Sequence, residues 1–598
     1  MLLGVCILCA LGANRVCGQS GGVRGATASE PNAGCFRGTE GAEVPEPENL
    51  RSVDGVLKVE LAFRSYVDAN GDARYCYVSP NGGVSPTLRV NPGDTVILNL
   101  RNEARAEEPA RAGALGSAKH HGTMKMTAET SGAKGSAREI ARDACAGGPM
   151  VASATNLHFH GLAIPALCHA DETLKTLVEP ADAPFEYRFT IPENQPTGLY
   201  WYHPHVHGIS RFQLLGGASG ALVVESIERA NRQLAGLPER VFVVRDENLL
   251  HPEAEPLGPS LATQVRMRDP EGDMLNTGTG EGKPAKDLSI NYVPVPFPKY
   301  PPAVIRMKPS QRELWRVANA SAITYLNLQV LFNSAPQPLG VVGLDGAPLA
   351  EGGEPARAML KVSHLIVPPG GRVEFVVNGP AAGVDASLVT RGVDTGPLGE
   401  NDPLRALATI AISPDAPEPR TVLAANPAAL APAKEAWLGN VVPARERKLY
   451  FSERQENPND PNSPTTFFVT VEGQTPKAFD PSSGVPNMVA QQGTVEDWTI
   501  ENRTQEFHAF HIHQIHFLMT EWNGRKVDEP FLRDTVNLEY WDGKSATYPS
   551  LKLRMDFREP NAVGSLPYHC HLLEHQDGGM MGILRVEAAA AKPAVVVK

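Results

Sequence analysis

Short runs in which apolar and polar residues alternate dominate the chain. GVLKVELAFR (55–64), DTVILNL (94–100), FEYRFTI (185–191), GALVVE (220–225) and RVFVVRD (240–246) are rich in β-branched residues and bounded by Gly, Pro or Asn. This pattern predicts half-buried β-strands. Stretches with apolar residues at every third or fourth position are scarce, so an all-β architecture is expected. Three segments share one plan: NPGDTVILNLRN (91–102), KPSQRELWRVANAS (308–321) and GTVEDWTIENRT (493–504). In each, a turn precedes a polar–apolar strand that ends in Asn. Their spacing of roughly 200 residues is too long for a solenoid and suggests three related β-sandwich domains. These are expected over 45–230, 235–412 and 447–590. Residues 103–152 read as an exposed insertion in the first, 413–446 as an Ala/Pro-rich linker and the final AAAAKPAVVVK as a disordered tail.

Composition adds bounds. Among 598 residues, 55 Gly and 52 Pro fit many turns and short strands. A net charge of −12 argues against general nucleic-acid or anionic-membrane binding. The apolar run LLGVCILCALGA (2–13), followed by Val16-Cys17-Gly18, reads as a signal peptide over 1–18, although no Lys or Arg precedes it. No other run is long and apolar enough for a transmembrane helix. Removal of the leader leaves Cys35, Cys76, Cys145, Cys168 and Cys570. In an oxidising compartment the first four allow one or two disulfides, with three full pairings open. Cys570 stands apart.

The position of the histidines changes the picture most. Of 17, 13 fall in 158–207, 508–516 and 569–575. LHFHG carries His158 and His160. YWYHPHVHG carries His203, His205 and His207. FHAFHIHQIHF carries His508, His511, His513 and His516. YHCHLLEHQDGGMMG carries His569, Cys570, His571, His575 and Met580. In a strand, residues i and i+2 share a face, so each H-x-H pair can reach one cavity. One such pair is weak evidence, but four pairs in apolar surroundings point to metal, because buried imidazoles need partners. Cys570 and His575, a further His, and Met580 ten residues after the Cys form a His2Cys set with a weak axial thioether, as in blue copper sites. His569 and His571 flank Cys570 on the opposite face, so thiolate and imidazoles can serve different metals.

The motifs H-x-H, H-x-H, H-x-x-H-x-H and H-C-H-x3-H-x4-M, in this order, resemble those of the multicopper oxidases, the laccase-like three-domain family. The resemblance extends to GLYWYHPHVHG (198–208), GALVVE (220–225), LRDTV (532–536) and DFREPNAVGSLPYHCHLLEHQDGGMMG (556–582). It implies three cupredoxin-like Greek-key β-sandwich domains and four copper ions. By position, type 1 copper would take His508, Cys570 and His575, with Met580 axial. Type 2 would take His158 and His511. One type 3 copper would take His160, His203 and His571, and the other His205, His513 and His569. The resemblance further implies one-electron oxidation of a small reducing substrate (a phenol, an aromatic amine or Cu(I)) coupled to reduction of O2 to water. The trinuclear site would lie between the first and third domains. Asp171 resembles the family's proton-supplying acid, with His169 beside it. Ala509 replaces the usual Pro, and Gln576 stands where bacterial relatives carry Glu, which puts proton delivery there in question.

The leading expectation is a periplasmic or secreted laccase-like oxidase, working as a monomer. A cuprous oxidase for copper tolerance and a non-catalytic copper-binding cupredoxin protein are the alternatives. His207, His516, His251 and His364 are expected to be exposed, structural or outside the ligand sets. Met581 yields to Met580 on spacing. His120, His121, Met124 and Met126 in the insertion are expected in a solvated loop.

Overall fold

The computed structural model describes residues 35–589 apart from 36, 106–141, 149, 258–281, 352–353, 356–357, 423–435 and 458–462. The expected signal peptide, most of the insertion with its His120, His121, Met124 and Met126, much of the Ala/Pro linker and the C-terminal tail lie outside the described residues. Strands make up 44% and helices 5%, in line with the all-β expectation. The five alternating segments form the strands Val56–Val67, Thr95–Glu103, Phe185–Thr190, Gly220–Val224 and Glu239–Glu247.

The main sheets fall into three consecutive pairs. A four-stranded and a five-stranded sheet, built from strands between 49 and 224, share a core around Leu98, Phe159, Tyr187 and Leu222. An eight-stranded and a six-stranded sheet between 239 and 412 enclose Trp315, Leu328, Phe375 and Ile410. A six-stranded and a five-stranded sheet between 445 and 587 enclose Trp498, Phe510, Tyr568 and Cys570.

The three repeated segments occupy the same place in their sheets. Thr95–Glu103 pairs in parallel with Val56–Val67 and antiparallel with Phe185–Thr190. Arg312–Asn319 does the same with Glu239–Glu247 and Arg372–Asn378, and Val495–Asn502 with Arg445–Gln455 and Ser550–Asp556. The shared Asn has one job in all three. Asn102 Nδ2 donates to Ser153 O and Val178 O, both at 2.7 Å, and its Oδ1 accepts from Ala104 N. Asn319 repeats this with Thr324 O, Val367 O and Ser321 N, and Asn502 with Glu506 O, Glu539 O and Thr504 N. Each amide satisfies backbone groups where the strand leaves its ladder.

Register brings the histidine motifs together. His158–His160 pairs antiparallel with Gly198–His203, setting His158 opposite His203. His508–Ile512 pairs antiparallel with Gly564–Cys570, setting His511 opposite His569 and Phe510 opposite Cys570. Phe159 faces the sandwich core, so His158 and His160 face away from it. The three-residue step from His508 to His511 reverses the face, as an odd spacing must. One expectation is corrected: only the first motif lies wholly on a strand. The second strand ends at His203, where Pro204 has no N–H to extend the ladder; His205 follows beyond it and His207 starts a turn. His513 and His571 each lie one residue beyond a strand end.

Two short helices, Ser210–Leu215 and Leu573–Asp577, join the first and third sheet pairs. Asp577 accepts from Gly208 N and Ser210 Oγ through Oδ1 and from Arg211 N through Oδ2. Of the three pairings the sequence left open, the disulfides realise Cys35–Cys76 and Cys145–Cys168, and Cys570 is a free buried thiol.

Asn102→Ala leaves Ser153 O and Ala104 N without partners, while Val178 O keeps Thr155 N, at about 1–3 kcal/mol for each unsatisfied group. Guanidinium unfolding of this variant is expected to show a clearly lowered midpoint. An unchanged midpoint would show that the repeated Asn bonds do not stabilise the fold.

Candidate metal centre

Eight histidines, four from the first sheet pair and four from the third, meet in one buried cluster. His158, His160, His203, His205, His511, His513, His569 and His571 are each at most 1% exposed. The His158 and His513 rings stack at 3.8 Å between centroids, and His160 and His511 at 3.9 Å. His205 Nε2 and His513 Nε2 each lie 3.3 Å from His569 Nε2. Donor atoms converge within 4.8 Å in the sets His158/His511/His513, His158/His160/His203 and His205/His513/His569. The last is one of the trios expected from the sequence. His571 packs 5.0 Å from the His160 ring and 5.7 Å from the His203 ring.

Five of the eight rings have their outer nitrogen held by protein. His158 Nδ1 lies 3.0 Å from Asp171 Oδ2, His160 Nε2 3.2 Å from Asp534 Oδ1, and His203 Nδ1 3.0 Å from Pro204 O. His511 Nδ1 lies 2.9 Å from Asp534 O, and His569 Nδ1 2.9 Å from Cys570 O. The opposite nitrogens of His158, His160, His203 and His511 are buried with no hydrogen-bond partner, as are both of His571. A buried polar atom without a partner costs several kcal/mol, and an imidazole oriented by its outer nitrogen is what metal ligation requires. Burial holds all eight imidazoles far toward the neutral, metal-binding form: His569 falls to about 4 and His203 to about 3, and the other six lie well below the ordinary value. The residues therefore fit a group of bound metal ions.

The second set lies inside the third sandwich. His508 Nδ1, His575 Nδ1 and Cys570 Sγ form a triangle with sides of 3.0, 3.5 and 3.7 Å. Its circumradius is about 2.0 Å, the length of a metal–nitrogen bond. His508 Nε2 lies 2.8 Å from Thr504 Oγ1, and His575 Nε2 lies 3.3 Å from Glu506 Oε1, so both outer nitrogens again have partners. Met580 is fully buried, and its backbone is pinned to the set: Cys570 N donates to Met580 O, and Met580 N to His575 O. Burial pushes the Cys570 thiol up to about 12 in the absence of a metal.

Asp171 sits in the histidine cluster, as expected. Phe159 N and Gln514 Nε2 donate to it. Burial raises its carboxyl well above the usual range. His169 is directed elsewhere, to Glu186 O and the face of Phe185. Gln576 is buried, with Nε2 donating to Ser210 Oγ. His207 and His516 are buried outside the sets, His207 edge-on to Phe479 and His516 Nε2 3.1 Å from Asp345 O. His364 is buried beside Asn327, and His251 is exposed. Cys145, Cys168 and His169 also cluster, but the two sulfurs are joined in a disulfide and offer no thiolate. Sequence reasoning gave no role to Asp534, Thr535, Gln514, Glu506 or Asn156, whose Oδ1 accepts from His205 N. Asp534 and Thr535 were visible only inside LRDTV, and nothing local marked their partners.

Cupredoxin-like β-sandwich sheets carrying a His-rich centre and a His2Cys centre define a copper-protein class. Multicopper oxidase family models match residues 150–229 and 451–590. The multicopper oxidase mco of Staphylococcus aureus is 22% identical over 439 residues, covering 72% of this chain and 76% of that protein. Among solved structures, a variant of the McoA multicopper oxidase of Aquifex aeolicus superposes with a TM-score of 0.61 at 17% identity, covering 92% and 100% of the two chains. A multicopper oxidase of Campylobacter jejuni, described as a metallo-oxidase, superposes with a TM-score of 0.55 at 21% identity, covering 91% and 96%. Residues 150–229 and 451–590 thus match multicopper oxidase domains, the relatives and structural neighbours are multicopper oxidases, and the chain is an oxidoreductase.

The depressed imidazoles make the metal-free protein acid-sensitive. Unfolded histidines titrate near about 6.5, whereas folded His569 and His203 do so at about 4 and about 3. Between these values the unfolded chain binds more protons, so stability is full above the unfolded value and is lost as pH falls through the folded ones. Denaturant titrations of the metal-free protein on either side of about pH 6.5 are expected to show a falling midpoint on acidification. A flat profile would contradict the buried, neutral cluster.

Proposed function

We propose that the protein is a laccase-like oxidase that takes single electrons from phenols or related donors and passes four to O2, which with four protons yields two waters. The observation carrying this reading is His569-Cys570-His571, where a thiol joined to one donor triangle stands between two imidazoles belonging to the histidine cluster. Adjacent residues of one chain segment give the shortest covalent route between two redox sites. Copper bound there supplies reversible one-electron chemistry, which zinc lacks.

In this reading the electron-entry copper would be held by His508, Cys570 and His575, with Met580 as a further, weaker ligand. The inner sites are His158/His511, His160/His203/His571 and His205/His513/His569, for four coppers in total. Three cupredoxin-like domains over 45–230, 235–412 and 447–590, the first carrying the 103–152 insertion, would hold them. Two disulfides support an oxidising, periplasmic or secreted location.

The chain's own groups have distinct tasks. Asp171 holds a proton beside His158, and Gln514 and Phe159 N fix the carboxyl in place. Gln576 has no acidic proton to give, so Asp171 is the proton donor of the pocket. At the entry site, Glu506 faces His575 and hydrogen-bonds with Glu453. Such a carboxyl pair suits a donor carrying O–H, N–H or positive charge, and for that reason Cu(I) is retained as a second substrate class.

An aerobic panel of diphenols, aromatic amines and Cu(I) on copper-loaded protein tests the assignment. Intense blue absorption with O2 uptake on at least one donor is expected, and absence of the blue band would overturn it. Asp171→Asn is expected to slow O2 reduction by about 10²-fold, the usual scale for a positioned acid, with the blue band unchanged. Full turnover by that variant would remove Asp171 from the mechanism.

A further inference from the structure

We propose that Arg372, on a sheet pair that supplies none of the ligands, is a positioning residue for the type 2 copper. It would act by clasping Asp534 against His160 and His511. The inference rests on the ligand sets proposed above.

Arg372 is buried on the strand Arg372–Asn378. Its Nη1 donates to Asp534 Oδ1 at 2.7 Å and its Nη2 to Asp534 Oδ2 at 2.5 Å. This is the two-pronged fork that arginine alone provides. The remaining donor capacity goes to backbone carbonyls: Nε to Leu199 O, Nη1 to Gly370 O and Nη2 to Asp345 O. Leu199 lies on the strand that ends in His203. Asp345 closes the loop, accepting from Arg372 N through Oδ1 and from Thr535 N through Oδ2.

The clasp ends on the histidines. Asp534 Oδ1 lies 3.2 Å from His160 Nε2, and Asp534 O lies 2.9 Å from His511 Nδ1. Thr535 Oγ1 lies 3.2 Å from each of the same two nitrogens and donates to Asp534 Oδ1. One ion pair thus fixes two rings that come from different sheet pairs and stack at 3.9 Å.

The backbone is shaped around it. Gly161 follows His160 with φ +87, and a Cβ there would collide with Asp534 Oδ2 and Arg372 Nη2. Gly370 has φ +84, and a Cβ there would lie 2.7 Å from the His571 ring. At both points only glycine lets the backbone approach so closely. The type 2 position has just two histidines, His158 and His511, against three for each type 3 position. A loosened His511 should therefore release that copper first.

The test loads wild type, Arg372→Lys and Arg372→Gln with copper, challenges each with a chelator, and follows copper per chain, the blue band and the EPR signal of the colourless type 2 Cu(II). Removing an outer partner of a ligating histidine costs about 10- to 100-fold in metal affinity. Arg372→Gln is expected to lose the type 2 signal at correspondingly lower chelator while the blue band stays, with Arg372→Lys in between. Retention of the wild-type type 2 signal at every chelator level, or loss of blue and type 2 signals together, would overturn the proposal. If Arg372→Gln does not fold, Asp345→Ala removes both side-chain acceptors of the outer anchor, and the same outcomes decide. A wild type lacking a type 2 signal would instead bring down the ligand sets themselves.

Discussion

Eight neutral imidazoles packed ring against ring create a demand that protein groups do not meet. In five of them the outer nitrogen is held by Asp171, Asp534 or a backbone carbonyl, which fixes those rings and leaves their other nitrogen facing inward. Burial keeps those nitrogens free of protons and withholds water. Several inner nitrogens are left without any partner. Such an arrangement is costly when empty and strongly binding toward metal. Much of the surrounding structure serves to hold two half-sites, each useless alone, at this spacing.

The sheets explain how the halves are made. In the first and third sheet pairs, an antiparallel register sets one histidine of each motif opposite another, and alternation turns the imidazoles away from the sandwich core. In the third pair the same alternation sends Cys570 the opposite way, into the core with His508. A single strand thereby faces both centres. The middle pair gives no ligand, yet Arg372 and Asp345 reach under the cluster to Asp534 and Thr535. Asp577 ties the two ligand-bearing pairs together from the helix side.

The sequence makes some of this legible and hides the rest for physical reasons. Two-residue spacing of histidines, the H-C-H triplet and the distance from Cys570 to Met580 are local, so the candidate ligands stand out in the sequence. The repeated Asn was visible as the end of each related segment, and its purpose, capping backbone groups at a strand exit, needed the fold. Asp534 could not be given its role, because its partner Arg372 is 162 residues away and nothing local links them. Gln514 reaches Asp171 from a backbone at φ +62 that pattern reading does not foresee. Spacing alone puts His205, His513 and His571 on strands, whereas Pro204 and the strand ends leave them just beyond.

The central claim is that the Cys570 centre and the histidine cluster form one electron-transfer unit ending in water. Its most direct test is a stoichiometric one. Copper-loaded protein is reduced anaerobically until the blue colour is gone, then reoxidised with measured O2 while colour, O2 consumed and peroxide formed are followed together. The account predicts that colour returns fully with four electrons consumed per O2 and no peroxide released. Return of colour with two electrons per O2 and stoichiometric peroxide, or no return on admission of O2, would contradict it.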